Sequence, residues 1–135
     1  MNHRSSAMSI VPLVTRLLIA PLFLVSAIRS LGAVSGMAGY LGRLGVPSPE
    51  ILAWVVIAIE VFGAIMLVIG WKTRLAAWML AAFVVVATFL AHRFWAVDAA
   101  QYANQLNHFL KNLALLGGLV LLAAHGPGRL AFDRS

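Results

Sequence analysis

The sequence predicts an all-α membrane protein: an antiparallel bundle of four transmembrane helices, with a short interfacial helix between the first and the second. Three observations predict it. The 135 residues are 62% hydrophobic, with a mean hydropathy of +0.95. They include only ten Lys and Arg and four Asp and Glu, whereas a soluble domain is about half apolar and about a quarter charged. A soluble globule this small has a large wet surface, which so few charges would leave as exposed apolar patches. Finally, four windows approach the roughly 20 apolar residues that a spanning helix needs: residues 10–31, 51–69, 75–92 and 106–124. Together they read as one membrane domain over residues 1–135, with the lipid bilayer as its partner.

Each element has its own signals. Arg4 precedes the first span as in a signal peptide, but Arg16 interrupts the apolar stretch and no clean A-x-A site follows, so a retained helix is expected. In the connection that follows, Met37, Tyr40, Leu41 and Leu44 recur at helical spacing, which predicts the short interfacial helix. Ser48 and Pro49 stand where an N-cap and a first-turn proline belong, starting the second helix near Glu50. Gly70 closes that helix, and the brief Trp71, Lys72, Thr73, Arg74 link makes the second and third spans an antiparallel hairpin. Phe94, Trp95 and Tyr102 in the next connection read as interface anchors. Gly126, Pro127 and Gly128 stop the fourth span. Small residues four apart, or beside Glu60, predict close helix packing: Gly63 and Ala64, Ala77 and Ala81, Ala87 and Ala91, Ala114 and Gly118. No internal repeat stands out.

The charges set topology and exclude several functions. Zero cysteines rule out disulfides, thiol catalysis and Fe–S ligation. The net charge of +6 is spread along the chain without a basic cluster, so nucleic acid is not a partner. Arg4, Lys72, Arg74, Arg129 and Arg134 fall on one side of the four spans; Arg43 and Arg93, with Arg29 and Lys111 as flanks, fall on the other. The excess places both termini in the cytoplasm.

Polar residues inside the spans are the candidate site, because a charge at the bilayer centre costs about 2.5–3.5 kcal/mol on insertion scales and persists for a reason. Glu60 lies about 14 Å from the outer boundary and Arg16 about 9 Å from the inner one, at 1.5 Å per residue. The gap in depth of about 7 Å can be closed by two long side chains. An Arg16–Glu60 ion pair that fixes helix register is one reading. A protonatable or ligand-binding carboxylate in a membrane cavity is the other. A second polar layer gathers at the outer ends, where His92 ends the third span and His108, Lys111 and Asn112 share one face of the fourth. His92 and His108 read as an interfacial hydrogen-bonding pair. As a bis-His haem or metal site they lack a third ligand, so no metal is assigned. Arg29 and Lys111 either snorkel or meet a headgroup or substrate.

No G-x-G-x-x-G, P-loop, G-x-S-x-G or H-E-x-x-H motif occurs, so the chain carries no self-contained catalytic motif. The segments RLLIAPLFLVSAIRSL, LGVPSPE, IEVFGAIMLVIGWKTRLAA, HRFW and NHFLKNLALLGGLVLLAAHGPGR together resemble the DoxX family of small bacterial membrane proteins over residues 16–133. The resemblance implies a four-helix protein of the inner membrane, with Arg16, Glu60, His92, Lys111 and Asn112 as its matching polar positions and Arg29 where many members have Lys. It also implies a loose link to redox biology, as an oxidoreductase subunit or a scaffold in quinone or oxidative-stress metabolism. No cofactor is evident in the sequence, so electron transfer would need a bound quinone or a redox enzyme partner. Two other readings stand beside this one: a homo-oligomeric, proton-coupled exporter of apolar or phenolic solutes, and a purely structural membrane protein.

Overall fold

The computed structural model describes residues 3–133, and no strand occurs among them. Helix α1 covers His3–Leu31, α2 Val34–Arg43, α3 Pro49–Ile69, α4 Thr73–Ala91 and α5 Ala99–His125, with a 3₁₀ turn at Phe94–Ala96 between the last two. Four of these helices are long and apolar enough to cross a membrane. Helix α1 packs along α3, α4 along α5, and α3 against α4, while the short α2 lies across the end of α3.

The bundle is turned inside out relative to a soluble protein. Its centre is filled by small side chains such as Ala20, Ala64, Ala76 and Ala77 with Leu67 and Leu80, while Leu18, Phe62, Trp78 and Leu121 point outward. Lipid tails are as apolar as leucine, so large side chains gain little by moving inward and close backbone approach decides the packing. Gly63 is one such approach. A methyl group built there would lie 2.7 Å from Leu80 Cδ2 and 2.9 Å from Leu80 Cγ. Gly63→Ala is therefore expected to destabilise the bundle by about 1–3 kcal/mol in an SDS unfolding titration, and adding Leu80→Ala is expected to make the pair less costly than the sum of its parts. Ala114, in contrast to the expectation of tight packing, is exposed, and Gly118 alone of that pair meets a neighbour, at 3.5 Å from Ile19 Cδ1.

Two helix starts depart from the sequence reading, one in position and one in capping. Helix α5 begins at Ala99, seven residues before the predicted span, because the Asp98 side chain caps it by accepting from the Gln101 amide at 3.1 Å. Ser48 does occupy the N-cap position of α3, but it adopts φ of 48° and its side chain makes no capping bond. An N-cap hydroxyl reaches the next turn from extended backbone, and this conformation turns it away. Gly70 ends α3 in the left-handed conformation, with φ of 74° and ψ of 37°, and Gly126 ends α5 with φ of 92° and ψ of −176°, positive-φ stops that glycine takes without a Cβ penalty.

Candidate functional site

One reading of the sequence pairs Arg16 with Glu60; the structure does not. Arg16 is fully buried. Its Nη1 donates to the carbonyls of Leu67 at 3.0 Å and Val68 at 3.3 Å, and its Nη2 donates to the Leu130 carbonyl. The last carbonyls of a helix have no intrahelical donor, and they form the negative end of its macrodipole. Arg16 meets this acceptor cluster first, whereas Glu60 lies seven residues back along α3, about 10 Å at 1.5 Å per residue. The C-terminal tail completes the cap, with the Phe132 amide donating to Ile69 O at 2.9 Å and the Asp133 amide to Gly70 O at 3.0 Å.

Arg74 performs the same task on the other helix pair. Its Nη1 donates to Ala123 O at 3.3 Å and to Ala124 O, and its Nη2 to His125 O at 3.1 Å. Leu67 and Val68 stand three and two residues before Gly70, as Ala123 and Ala124 stand before Gly126. Both arginines lie within the tripeptide Thr-Arg-Leu, at 15–17 and 73–75, so a short repeated device is present where the sequence reading found no repeat. That tripeptide, opposite two helices ending in glycine, was the available signal.

Released from Arg16, Glu60 belongs to a cavity of about 660 Å³ enclosed by α1, α2, α3 and α4, with Asn112 and Leu115 contributed by α5. Glu60 is only 3% exposed, and the Ser26 hydroxyl from α1 is placed to donate to its carboxylate. The remaining wall is almost wholly apolar apart from His92, Asn112 and Tyr40. Met37, Tyr40 and Leu41 of α2 and its C-cap residue Leu44, the residues whose spacing predicted an interfacial helix, all line this cavity. The apolar face of α2 thus roofs a hollow in the bundle.

Above Glu60 a polar ladder climbs α4. Asn112 Nδ2 donates to Thr88 Oγ1 at 2.9 Å, and the Thr88 hydroxyl donates to Val84 O at 2.6 Å. One turn further, about 6 Å, His92 Nδ1 bonds Gln105 Oε1 at 2.8 Å, and the His92 and His108 rings stack with centroids 4.8 Å apart and planes 18° from parallel. With Nδ1 as the donor to Gln105, Nε2 of His92 is left as an acceptor. Stacked rings present their nitrogens side by side rather than toward one point, so this pair does not have the geometry of two ligands on one metal ion. Phe94, Trp95 and Tyr102 join Phe89 and Phe109 in edge-to-face and tilted contacts of 5.1–6.3 Å that close the same end.

Of the predicted site residues, the cavity brings together Glu60, His92 and Asn112. His108 stacks behind His92, and Lys111 is exposed and lines neither cavity nor groove. Arg29 lines an adjoining open groove between α1 and α2. Sequence reasoning missed Ser26, Thr88 and Gln105. Ser26 and Thr88 carry hydroxyls inside spans, a weaker sign than a charge because a hydroxyl can bond back to its own helix.

The chain is similar to known proteins over most of its length. A family model described as DoxX matches residues 11–93, from α1 to just beyond α4. Inner membrane protein YqjF of Escherichia coli K12 is 34% identical over 122 residues, 90% of this chain and 88% of that protein. Inner membrane protein YphA of the same organism is 26% identical over 129 residues, 96% of this chain and 92% of that protein. A partial similarity, 27% over 81 residues, extends to the ER-derived vesicles protein ERV29 of Saccharomyces cerevisiae, covering 60% of this chain and 26% of that protein. No solved structure matches significantly.

Proposed function

This chain belongs to the DoxX family, and from that premise we propose that it is a ligand-binding subunit of the bacterial inner membrane that serves redox metabolism by holding a quinone-class ring in the cavity beside Glu60. One observation carries the reading: a buried carboxyl group opens into an apolar cavity of about 660 Å³. Small-molecule sites are typically about 300–1,000 Å³, mostly apolar, with a few convergent polar groups that orient the ligand. Here the apolar walls take the ring, while Glu60 with Ser26 and His92 with Asn112 are the polar groups available to its oxygens. A carboxyl and an imidazole can each hold or give up a proton at such an oxygen. The electrons come from a partner enzyme. The excess of Lys and Arg at the end shared by the termini supports a cytoplasmic placement of both.

The test compares wild-type protein with Glu60→Gln after gentle extraction from membranes, quantifying co-extracted quinones. Wild type is expected to retain quinone, chiefly in the quinol form whose hydroxyl donates to the Glu60 carboxylate, and the variant to retain roughly ten- to hundredfold less, the equivalent of one hydrogen bond to a charged group, at unchanged abundance and thermal stability. A wild-type protein free of quinone, or a variant that retains as much, overturns the reading. A variant that fails to accumulate assigns Glu60 to folding.

A further inference from the structure

Beside the cavity, the outer half of α1 and the facing side of α2 form an open groove of about 690 Å³. The two hollows share Leu22, Ser26, Met37 and Tyr40, so the groove is the flank of the cavity that faces lipid. Its lining changes character along its length. Arg29 and Ser30 lie within the last three residues of α1, at the membrane boundary, while Leu22 and Pro21 lie about two turns deeper, about 10 Å at 1.5 Å per residue. Tyr40 on α2 borders the groove and is 38% exposed, with the Arg43 guanidinium 5.9 Å from its ring centroid.

Arg29 stands apart from the other intramembrane arginines. Arg16 and Arg74 spend their terminal nitrogens on main-chain carbonyls of helix ends and the tail. Arg29 is exposed, and among the described residues no protein group takes up its guanidinium. A guanidinium offers a planar fork of donors that matches phosphate oxygens two at a time. A cation at the boundary above an apolar trough has the same polarity, read downward, as a phospholipid.

We propose that this groove is a binding site for an anionic phospholipid, with the phosphate on Arg29 and one acyl chain lying along Pro21, Leu22 and Val25, where it covers the flank of the Glu60 cavity. The charges fix the orientation. An anionic headgroup is drawn to the Arg29 cation at the rim and excluded from the apolar lining of Pro21, Leu22 and Val25 at depth, so the chain and not the head points inward. The small residues Ala33 and Gly36 on the α2 side leave room for the chain to lie against the helix.

The experiment reconstitutes the full-length protein in nanodiscs of phosphatidylcholine with a minor fraction of phosphatidylglycerol, then exchanges it into detergent and measures retained lipids by native mass spectrometry. Phosphatidylglycerol is expected to be retained in preference to phosphatidylcholine. Arg29→Gln is expected to remove about tenfold of that retention, while Arg93→Gln, an exposed arginine outside the groove, leaves it intact. Arg29 is exposed, so its replacement is not expected to disturb folding; equal thermal unfolding of both variants verifies this. Equal retention of the two lipids, equal retention by Arg29→Gln, displacement by inorganic phosphate alone, or a protein dimer occupying the face would each overturn the proposal. Because lipid retention is read without added quinone, its failure is separable from failure of the cavity reading.

Discussion

Arg16→Met is expected to be the most damaging single substitution in the chain, lowering stability by about 3–5 kcal/mol, the range for stripping one member from a buried charged contact. The guanidinium joins three parts of the molecule: α1 that carries it, the Leu67 and Val68 carbonyls of α3, and Leu130 of the tail. Its loss leaves carbonyls at a buried helix end without donors, each costing about 1–3 kcal/mol. Lysine is expected to restore less than half of the loss, since an ammonium on a flexible stem cannot span acceptors on two segments as a planar fork does. The measurement is midpoint and slope in an SDS unfolding titration. The same experiment separates two roles for the residue. Were Arg16 the counter-ion of Glu60, then Glu60→Gln would rescue Arg16→Met by removing the stranded charge. With Arg16 bound to carbonyls, no rescue is expected.

Gly70→Ala is expected to follow, at about 2–4 kcal/mol. An alanine held at φ of 74° costs roughly 1–2 kcal/mol in backbone strain. The added methyl would also lie 2.5 Å from Ala131 Cβ, 2.9 Å from Ala131 Cα and 2.5 Å from Arg16 Nη1. Ala131 Cα is backbone, so the tail itself must shift. Gly45 provides the control, having φ of 82° but nothing within 4 Å of an added methyl. Gly45→Ala is expected to show the strain alone, and the difference between the two glycines measures the packing of the tail. Since Arg16→Met and Gly70→Ala both loosen the same tail contact, their combined effect in the same titration should fall short of the sum.

The architecture was readable because a membrane helix advertises itself through length and apolarity. The second and third spans begin and end within two residues of the predicted windows, and α2 appears where Met37, Tyr40, Leu41 and Leu44 foretold a helix. The fourth span was read short because Gln101, Asn104, Gln105 and Asn107 dilute its first turns, although Asp98 and Gln101 carried the capping signal. The site was legible only in part. Glu60, His92 and Asn112 were identifiable as polar residues in apolar surroundings, and they do share a cavity. What α2 covers depends on how it folds back onto the bundle, which periodicity does not encode. The partner of Arg16 was hidden for a different reason. A sequence displays side chains, so a buried arginine directs attention to a carboxylate, while the nearest acceptors were main-chain carbonyls that every residue possesses.

The arginine caps bear on how the bundle can move. Both lie at one end, where the α3–α4 turn, the start of α4 and the end of α5 meet, and each bolts one helix to the last turn of its antiparallel neighbour. At the far end the contacts are aromatic rings, a stacked histidine pair and a helix of ten residues laid over a hollow. Such contacts slide and tilt more cheaply than charge-assisted hydrogen bonds break. The molecule is built like tongs, stiff at the pivot and compliant at the tips, and the compliant tips are what covers the cavity.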